Sequence, residues 1–149
     1  MKNILLIDRN AVDSTQITRY FTTGETQVGI QHLSTLEAVE DYIAKRAHVH
    51  SFRMDLPSLI ILDVDFPNAS EGLELLNRIN TARQFANIPV FIFTKNIDKD
   101  IVANCYVRGA NGYFLKPNEN INFLGAVKML TERWQNIIQR GFGYNYKAV

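Results

Sequence analysis

The feature that most restricts the fold of this chain is a short apolar run that ends abruptly in an acid. Residues 59–62 are Leu-Ile-Ile-Leu, and Asp63 follows at once, with Asp65 two residues later and Pro67 closing the turn. An unbroken apolar run of this length is typical of a strand that is buried on both faces of a parallel sheet. Because a carboxylate at the tip of such a strand is poorly suited to packing, we interpret Asp63 as a functional residue.

Further strands are predicted on both sides of this run, with helices between them. The other predicted strands cover residues 4–7, 28–33, 90–93 and 112–115. Between the strands, apolar residues recur at helical spacing, as in Leu73, Leu76 and Ile79. Strands that alternate with helices predict a parallel sheet covered on both faces. Right-handed crossovers then place the carboxyl ends of all the strands at one edge.

Polar side chains follow four of the predicted strands at that shared edge. They are Asp8 after the first strand, Asp63 and Asp65 after the third, Thr94 after the fourth and Lys116 after the fifth. Ligands of open α/β sheets bind at this edge, where the strand order reverses. We therefore predict a single site at which these five side chains meet.

Composition restricts the kind of protein and its surroundings. The chain has 149 residues and a formal net charge of +1, which predicts one domain and gives no bulk electrostatic case for binding nucleic acid or an anionic membrane. The single cysteine, Cys105, excludes an internal disulfide and fits a reducing cytoplasm. No stretch approaches membrane-spanning length, so a cytoplasmic protein is expected. We expect the domain over residues 1–140 and a flexible tail over residues 141–149.

The motifs, taken in order, resemble the receiver domain of two-component response regulators. The matching elements are an acid after the first strand, Asp-x-x-x-Pro beginning at Asp63, a threonine after the fourth strand, and Gly-Tyr-x-x-Lys-Pro over residues 112–117. The similarity spans residues 3–130. The long loop before Pro57 and the extended last helix with Trp134 further resemble the small single-domain regulators that serve phytochrome-type sensor kinases.

The resemblance implies both a fold and a chemistry. The fold would be a three-layer, flavodoxin-like, doubly wound α/β sheet of five parallel strands in the order 2-1-3-4-5. Asp63 would accept a phosphoryl group from a sensor histidine kinase, and Lys116 would contact that group. Mg²⁺ would be held by Asp8, Asp63 and the backbone carbonyl of Asp65.

The resemblance also implies a switch. Thr94 would hydrogen-bond the phosphoryl oxygen, and Tyr113 would then change its ring position and alter a protein-interaction face. A cis peptide bond between Lys116 and Pro117 is implied as well. The expected protein is a stand-alone response regulator, not an enzyme. Its partners would be the kinase and, through the carboxyl-terminal helix around Trp134, a second copy of itself, without nucleic acid or membrane.

Arg9 departs from the family pattern. Relatives usually carry a second acid there, commonly a direct metal ligand, whereas an arginine cannot bind Mg²⁺ and is expected to weaken cation binding. Two outcomes stay open. Arg9 replaces the metal electrostatically and leaves slow or metal-independent phosphorylation of Asp63, which Asp65 could assist by turning its carboxylate inward, or Arg9 takes the place of the metal and locks the site in one state. In the second case the chain is a pseudo-receiver, a non-phosphorylated protein-interaction module.

Purely structural roles also stay open for several of these residues. Asp8 and Asp63 could lie in a structural ion network with Arg9 and Lys116 that only stabilises the strand ends. Tyr113 could be a half-buried aromatic residue at the edge of the sheet. The signalling interpretation requires that the Asp63 carboxylate is accessible to solvent, which a purely structural ion network does not require.

Other chemistries are disfavoured by the residues present. His32, His48 and His50 lack the spacing of a zinc site. Cys105 falls on the apolar face of a helix and is interpreted as a small core residue. An enzyme of the same architecture is disfavoured because residues 8–11, after the first strand, contain no glycine for a phosphate-binding loop.

Overall fold

The computed structural model describes residues 2–24, 28–46 and 56–140. In these residues the strands are β1 (Lys2–Ile7), β2 (Val28–Leu33), β3 (Leu59–Leu62), β4 (Val90–Thr94) and β5 (Gly112–Leu115). The α-helices are α1 (Ala11–Thr22), α2 (Leu36–Arg46), α3 (Ala69–Thr81), α4 (Lys99–Val107) and α5 (Phe123–Gln139). Two short 3₁₀ helices cover Arg83–Phe85 and Asn120–Asn122.

The strands form one parallel sheet in the order β2-β1-β3-β4-β5. This confirms the predicted flavodoxin-like fold and its strand order. The register pairs Ile7 with Leu62, the last residues of β1 and β3, and pairs Thr94 with Leu115, the last residues of β4 and β5. The residues that follow these strands are therefore neighbours at one edge of the sheet.

Two apolar cores lie on the two faces of the sheet. Because successive side chains of a strand point to opposite faces, β3 supplies Ile60 and Leu62 to one core and Leu59 and Ile61 to the other. The first core is covered by α2, α3 and α4, and the second by α1 and α5. All four residues of β3 are buried, as the apolar run predicts.

Trp134 belongs to the second core. It is buried, its ring packs edge-on against Phe21 with 6.4 Å between centroids, and the Lys2 ammonium lies 5.6 Å from the ring centroid. The side chain is therefore committed to the interior of its own molecule. A contact between two copies through α5 would have to use other residues of that helix.

Cys105 is completely buried on the sheet side of α4. Burial raises the pKa of its thiol to about 11, so the thiol is neutral at physiological pH and is not activated as a nucleophile. This confirms its interpretation as a small core residue.

None of the helices within the described ranges is both long and apolar enough to cross a membrane. The expected flexible tail, residues 141–149, lies outside the described residues. The same is true of His48 and His50 and of most of the long loop before β3.

Gly72, in the first turn of α3, allows that helix to approach the loop after β3. A Cβ atom at this position would lie only 1.7 Å from the backbone oxygen of Val64. Because the obstructing atom belongs to the backbone, a side chain could be accommodated only by moving the helix or the loop. Gly72 therefore positions the segment from Asp63 to Asp65 at the sheet edge.

We predict that Gly72→Ala lowers the free energy of unfolding by about 3 kcal/mol, the upper range for overpacking a tight contact. Gly125→Ala in α5 is the matched control, since a Cβ atom there would meet nothing within 4 Å. Removing glycine flexibility there should raise stability by about 0.5 kcal/mol. Urea denaturation followed by circular dichroism measures both. A Gly72→Ala protein as stable as the parent would contradict the predicted close approach.

Candidate functional site

A cleft of about 380 Å³ opens at the carboxyl edge of the sheet, and we call it the acidic cleft. It brings together four of the five predicted site residues, Asp8, Asp63, Asp65 and Lys116, with Asp13, which was not predicted. The remaining lining residues are Arg9, Asn10, Phe66 and Lys95.

The centre of the acidic cleft is the ammonium group of Lys116. Its Nζ donates hydrogen bonds to Asp8 Oδ2 at 2.7 Å and to Asp63 Oδ2 at 2.9 Å. The same Nζ forms an ion pair with Asp13 Oδ2 at 3.0 Å. The Lys116 side chain is only 2% exposed, and its backbone N–H donates to Thr94 O at 2.8 Å, which fixes the residue against β4. One buried ammonium therefore holds three carboxylates.

The backbone orients the two strand-end carboxylates. Asp8 Oδ1 accepts the N–H of Asn10 at 2.8 Å, and Asp63 Oδ1 accepts the N–H of Asp65 at 3.0 Å. Each acid thus offers its second oxygen to Lys116. The Asp8 side chain is 3% exposed whereas that of Asp63 is 16% exposed. Asp63 is therefore the carboxylate at the mouth of the cleft, and Asp8 lies behind it.

Burial and charge shift the pKa values of the central pair. Burial raises the pKa of Asp8, and the ammonium of Lys116 and the N–H of Asn10 offset this only in part. For Lys116, burial alone would lower the pKa, but the charges of Asp63 and Asp8 outweigh it and the pKa is raised. These directions agree with a single ammonium shared among several carboxylates, because the excess negative charge favours a bound proton.

Asp13 is the residue of the cluster that the sequence analysis missed. It lies in the first turn of α1, where its N–H donates to Asn10 Oδ1 at 3.0 Å, and it is buried. A signal was available in the sequence, because Asp13 stands four residues before Ile17 and eight before Phe21 on the apolar face of α1. An acid on the buried face of the helix that follows β1 indicates a group directed at the sheet edge.

Arg9 stands outside this ion network. Its side chain is exposed at the rim of the cleft, and it forms no ion pair with any residue in the described ranges. The structural ion network considered for Asp8 and Asp63 does form with Lys116, but Arg9 takes no part in it.

A second set of polar contacts lies beside the cluster, and we call it the loop network. The Asp65 carboxylate accepts a hydrogen bond from Thr94 Oγ1 at 3.3 Å and another from the Asn96 side-chain amide at 2.9 Å. Tyr113 donates its hydroxyl to the backbone oxygen of Asn96 at 2.7 Å. The predicted switch residues Thr94 and Tyr113 are thus connected through Asn96. The two carboxylate oxygens of Asp65 bond to the last residue of β4 and to Asn96 after it, rather than to Lys116.

Tyr113 is half-buried, and burial raises the pKa of its phenol.

The described residues contain one cis peptide bond, between Phe66 and Pro67. The prediction of a cis bond between Lys116 and Pro117 is therefore wrong. The peptide bond between these two residues is trans.

The donor chemistry of the cluster fits a divalent cation such as Mg²⁺. Carboxylate oxygens are the ligands that this ion prefers, and Asp8, Asp13 and Asp63 with Lys116 carry a formal net charge of −2. As the side chains stand, all three carboxylates face the ammonium. In the part of the chain that is described, no group of three or more His, Cys, Asp or Glu side chains already has the spacing of a metal site.

The sequence of this chain is similar to those of known proteins. The family model described as "Response regulator receiver domain" matches residues 4–128. A curated relative, a 76.5 kDa protein of Thiocystis violacea described as uncharacterized, is 26% identical over 133 residues, which is 88% of this chain. The match covers 18% of the relative, so the chain spans about a fifth of its length.

Solved structures of response regulators share the fold. The phosphorylated cyanobacterial phytochrome response regulator RcpA is 22% identical, with a TM-score of 0.77 over 91% of this chain and 95% of its own. The Mn²⁺-bound response regulator Rcp1 is 23% identical, with a TM-score of 0.75 over 90% and 94%. A signal receiver domain of a histidine kinase from Clostridium thermocellum is 25% identical, with a TM-score of 0.69 over 87% and 96%.

The raised pKa of Asp8 leads to a prediction about stability. Because its folded-state pKa lies above the unfolded value, ionising Asp8 costs folding free energy as the pH rises through the folded pKa. Asp8→Asn cannot ionise, so we expect it to be more stable than the parent at pH 7.5. The advantage should shrink as the pH is lowered and vanish below about 3, where Asp8 of the parent is protonated in both the folded and the unfolded state.

Urea denaturation across this pH range measures the difference. Asp41→Asn is the control, because Asp41 is exposed and pairs only with Lys45 at i,i+4; its effect should stay within about 0.5 kcal/mol at every pH. If Asp8→Asn is instead less stable than the parent at pH 7.5, the bond to Lys116 outweighs the burial of Asp8.

Proposed function

Since this chain belongs to the family of response regulator receiver domains, we propose that it accepts a phosphoryl group on Asp63 from a sensor histidine kinase and then changes the surface that it presents to a partner. The protein would act as a switch that carries one phosphoryl group rather than as an enzyme that turns over a substrate. We place it in the cytoplasm, with proteins rather than nucleic acid or membrane as its partners.

The observation that carries this proposal is the position of Asp63. Its carboxylate lies at the mouth of the acidic cleft, 16% exposed, with Lys116 Nζ 2.9 Å away. A carboxylate oxygen there can attack the phosphorus of a phosphohistidine. The P–N bond breaks as the new P–O bond forms, which leaves an acyl phosphate on Asp63 and returns the electron pair to the kinase imidazole. Lys116 is already placed to neutralise charge on the transferred group.

A divalent cation, when bound by Asp8, Asp63 and the backbone carbonyl of Asp65, would neutralise charge on the phosphoryl oxygens. The formal charge of −2 on the cluster supports this assignment. The structure of Rcp1, which shares the fold, was solved with Mn²⁺ bound.

The loop network supplies the switch of the proposal. The hydroxyl of Thr94 is donated to Asp65, two residues from Asp63. A phosphoryl group on Asp63 would offer this hydroxyl a doubly charged acceptor. If the Thr94 side chain moved toward that group, the hydrogen bond from the Asn96 N–H to Thr94 Oγ1 would be lost. Because the Tyr113 hydroxyl donates a hydrogen bond to the backbone oxygen of Asn96, the Tyr113 ring would change position when Asn96 moves. Phosphorylation would thereby shift the population between two arrangements of the segment after β4.

The alternative is a pseudo-receiver, a non-phosphorylated interaction module in which Arg9 replaces the metal. The basis for this alternative is that Arg9 stands where relatives carry a second acid. Its exposed position outside the ion network weighs against it, because a residue that replaces a buried cation should contact the carboxylates. The phosphoryl acceptor is therefore the favoured function.

Treatment of the purified protein with acetyl phosphate and Mg²⁺ tests the proposal. Intact-mass measurement should show a single phosphoryl adduct on the parent, and none on Asp63→Asn. Asp100→Asn removes an exposed acid from the first turn of α4 and should retain the adduct. Absence of an adduct on the parent, with or without Mg²⁺ and with a range of donors, would favour the pseudo-receiver.

We also propose that two copies associate through the first half of α5. Leu124 is half-exposed and Met129 more so, although both are large and apolar. Light scattering at high protein concentration should give the mass of a dimer for the parent and a lower mass for Leu124→Glu. Lys128→Glu, a charge change at an exposed position on the same helix, should have a smaller effect. A monomeric parent would end this proposal.

A further inference from the structure

Because Arg9 stands where relatives carry a second acid, the acidic cleft lacks that carboxylate. We propose that Asp13 supplies it instead, and that Asp13 holds a divalent cation jointly with Asp8 and Asp63. This inference rests on the proposed function, because it concerns the cation that would assist phosphoryl transfer. It identifies an α1 residue, rather than a residue of the loop after β1, as the source of that carboxylate.

Asp13 lies in the same carboxylate cluster as Asp8 and Asp63, although the three side chains do not have the spacing of a metal site as they stand. Its Oδ2 lies 3.0 Å from Lys116 Nζ, the same atom that contacts Asp8 Oδ2 and Asp63 Oδ2 at 2.7 and 2.9 Å. The three oxygens thus converge on one ammonium group, and a cation would have to draw them together beside it. The cluster therefore contains three carboxylates despite the loss of the acid at Arg9.

An incompletely bonded oxygen points to a further ligand. The Asp13 side chain is 9% exposed, and it lines the acidic cleft. Although Oδ2 is within ion-pair distance of Lys116, it is not aligned as a hydrogen-bond acceptor, and the described residues offer it no other donor. The ammonium instead donates to Asp8 and Asp63. A buried anionic oxygen without a hydrogen bond is costly, and a cation in the cleft would remove that cost.

Charge balance agrees with a divalent ion. With Asp13, the three carboxylates and the Lys116 ammonium have a formal net charge of −2, which a divalent cation neutralises. Without Asp13 the net charge would be −1. Of the other charged groups that line the cleft, Arg9 and Lys95 are exposed at its rim, and Asp65 bonds to Thr94 and Asn96.

The start of α1 explains how a helical residue reaches the cleft. Asn10 caps the helix by accepting the N–H of Asp13, and the N–H of Asn10 is itself bonded to Asp8 Oδ1. Asp8 and Asp13 are thus joined through one capping residue. The cap fixes the first turn of α1 relative to the strand end, so that both carboxylates face the same atom.

Mn²⁺ binding tests the inference, with free Mn²⁺ measured by electron paramagnetic resonance. We expect Asp13→Asn to weaken Mn²⁺ binding by at least about 10-fold, the lower end of the range for removing a group that only orients a metal ligand. Arg9→Asp combined with Asp13→Asn should regain most of the affinity, because it returns an acid to the position after Asp8. Asp100→Asn removes the equivalent first-turn acid of α4 and should bind Mn²⁺ as the parent does.

Urea denaturation of each variant shows whether it folds, and Asp13→Ser serves in place of Asp13→Asn if the amide prevents folding. An Mn²⁺ affinity of Asp13→Asn equal to that of the parent would overturn the inference. So would a parent that binds no Mn²⁺. If such a parent still takes a phosphoryl group on Asp63, the inference alone fails and the proposed function stands; if it takes none, both fail.

Discussion

The ammonium of Lys116 is the interaction on which the site depends. It comes from the loop after β5, and it contacts acids that follow β1 and β3 and an acid from α1. Burying any one of these charges alone would be strongly unfavourable, and a buried pair is stable only where each charge has good hydrogen bonds. Because Lys116 and its three partners come from four separate elements, the cluster also fixes how those elements meet at the sheet edge.

Depth within the cleft separates the roles of two chemically identical side chains. Asp8 and Asp63 make matching contacts, each with one oxygen on a nearby backbone N–H and the other on Lys116. They differ in exposure, 3% against 16%. The deeper carboxylate bears the larger desolvation cost, which raises the pKa of Asp8. The outer one, Asp63, is open to solution, as its proposed role of phosphoryl acceptor requires.

The fold and the strand-end residues could be predicted from the sequence because both follow from short-range patterns. An unbroken apolar run predicts a central strand, and a parallel sheet gathers the strand ends, so Asp8, Asp63 and Lys116 were expected to meet. Asp13 was missed because a first-turn acid is usually explained by the helix dipole. Which way a side chain turns is also beyond such patterns, since it depends on competing partners; the carboxylate of Asp65 is an example.

The two acids of the loop after β3 connect the cluster around Lys116 to the loop network. Asp63 belongs to the cluster around Lys116, and Asp65 holds Thr94 and Asn96. The two are also bonded to each other, through Asp63 Oδ1 and the N–H of Asp65. The proposed phosphoryl group on Asp63 would act on Asp65 through this hydrogen bond, and it would compete with Asp65 for the hydroxyl of Thr94. The proposed coupling between the cleft and Tyr113 would then need only these neighbouring contacts and no long-range rearrangement of the sheet.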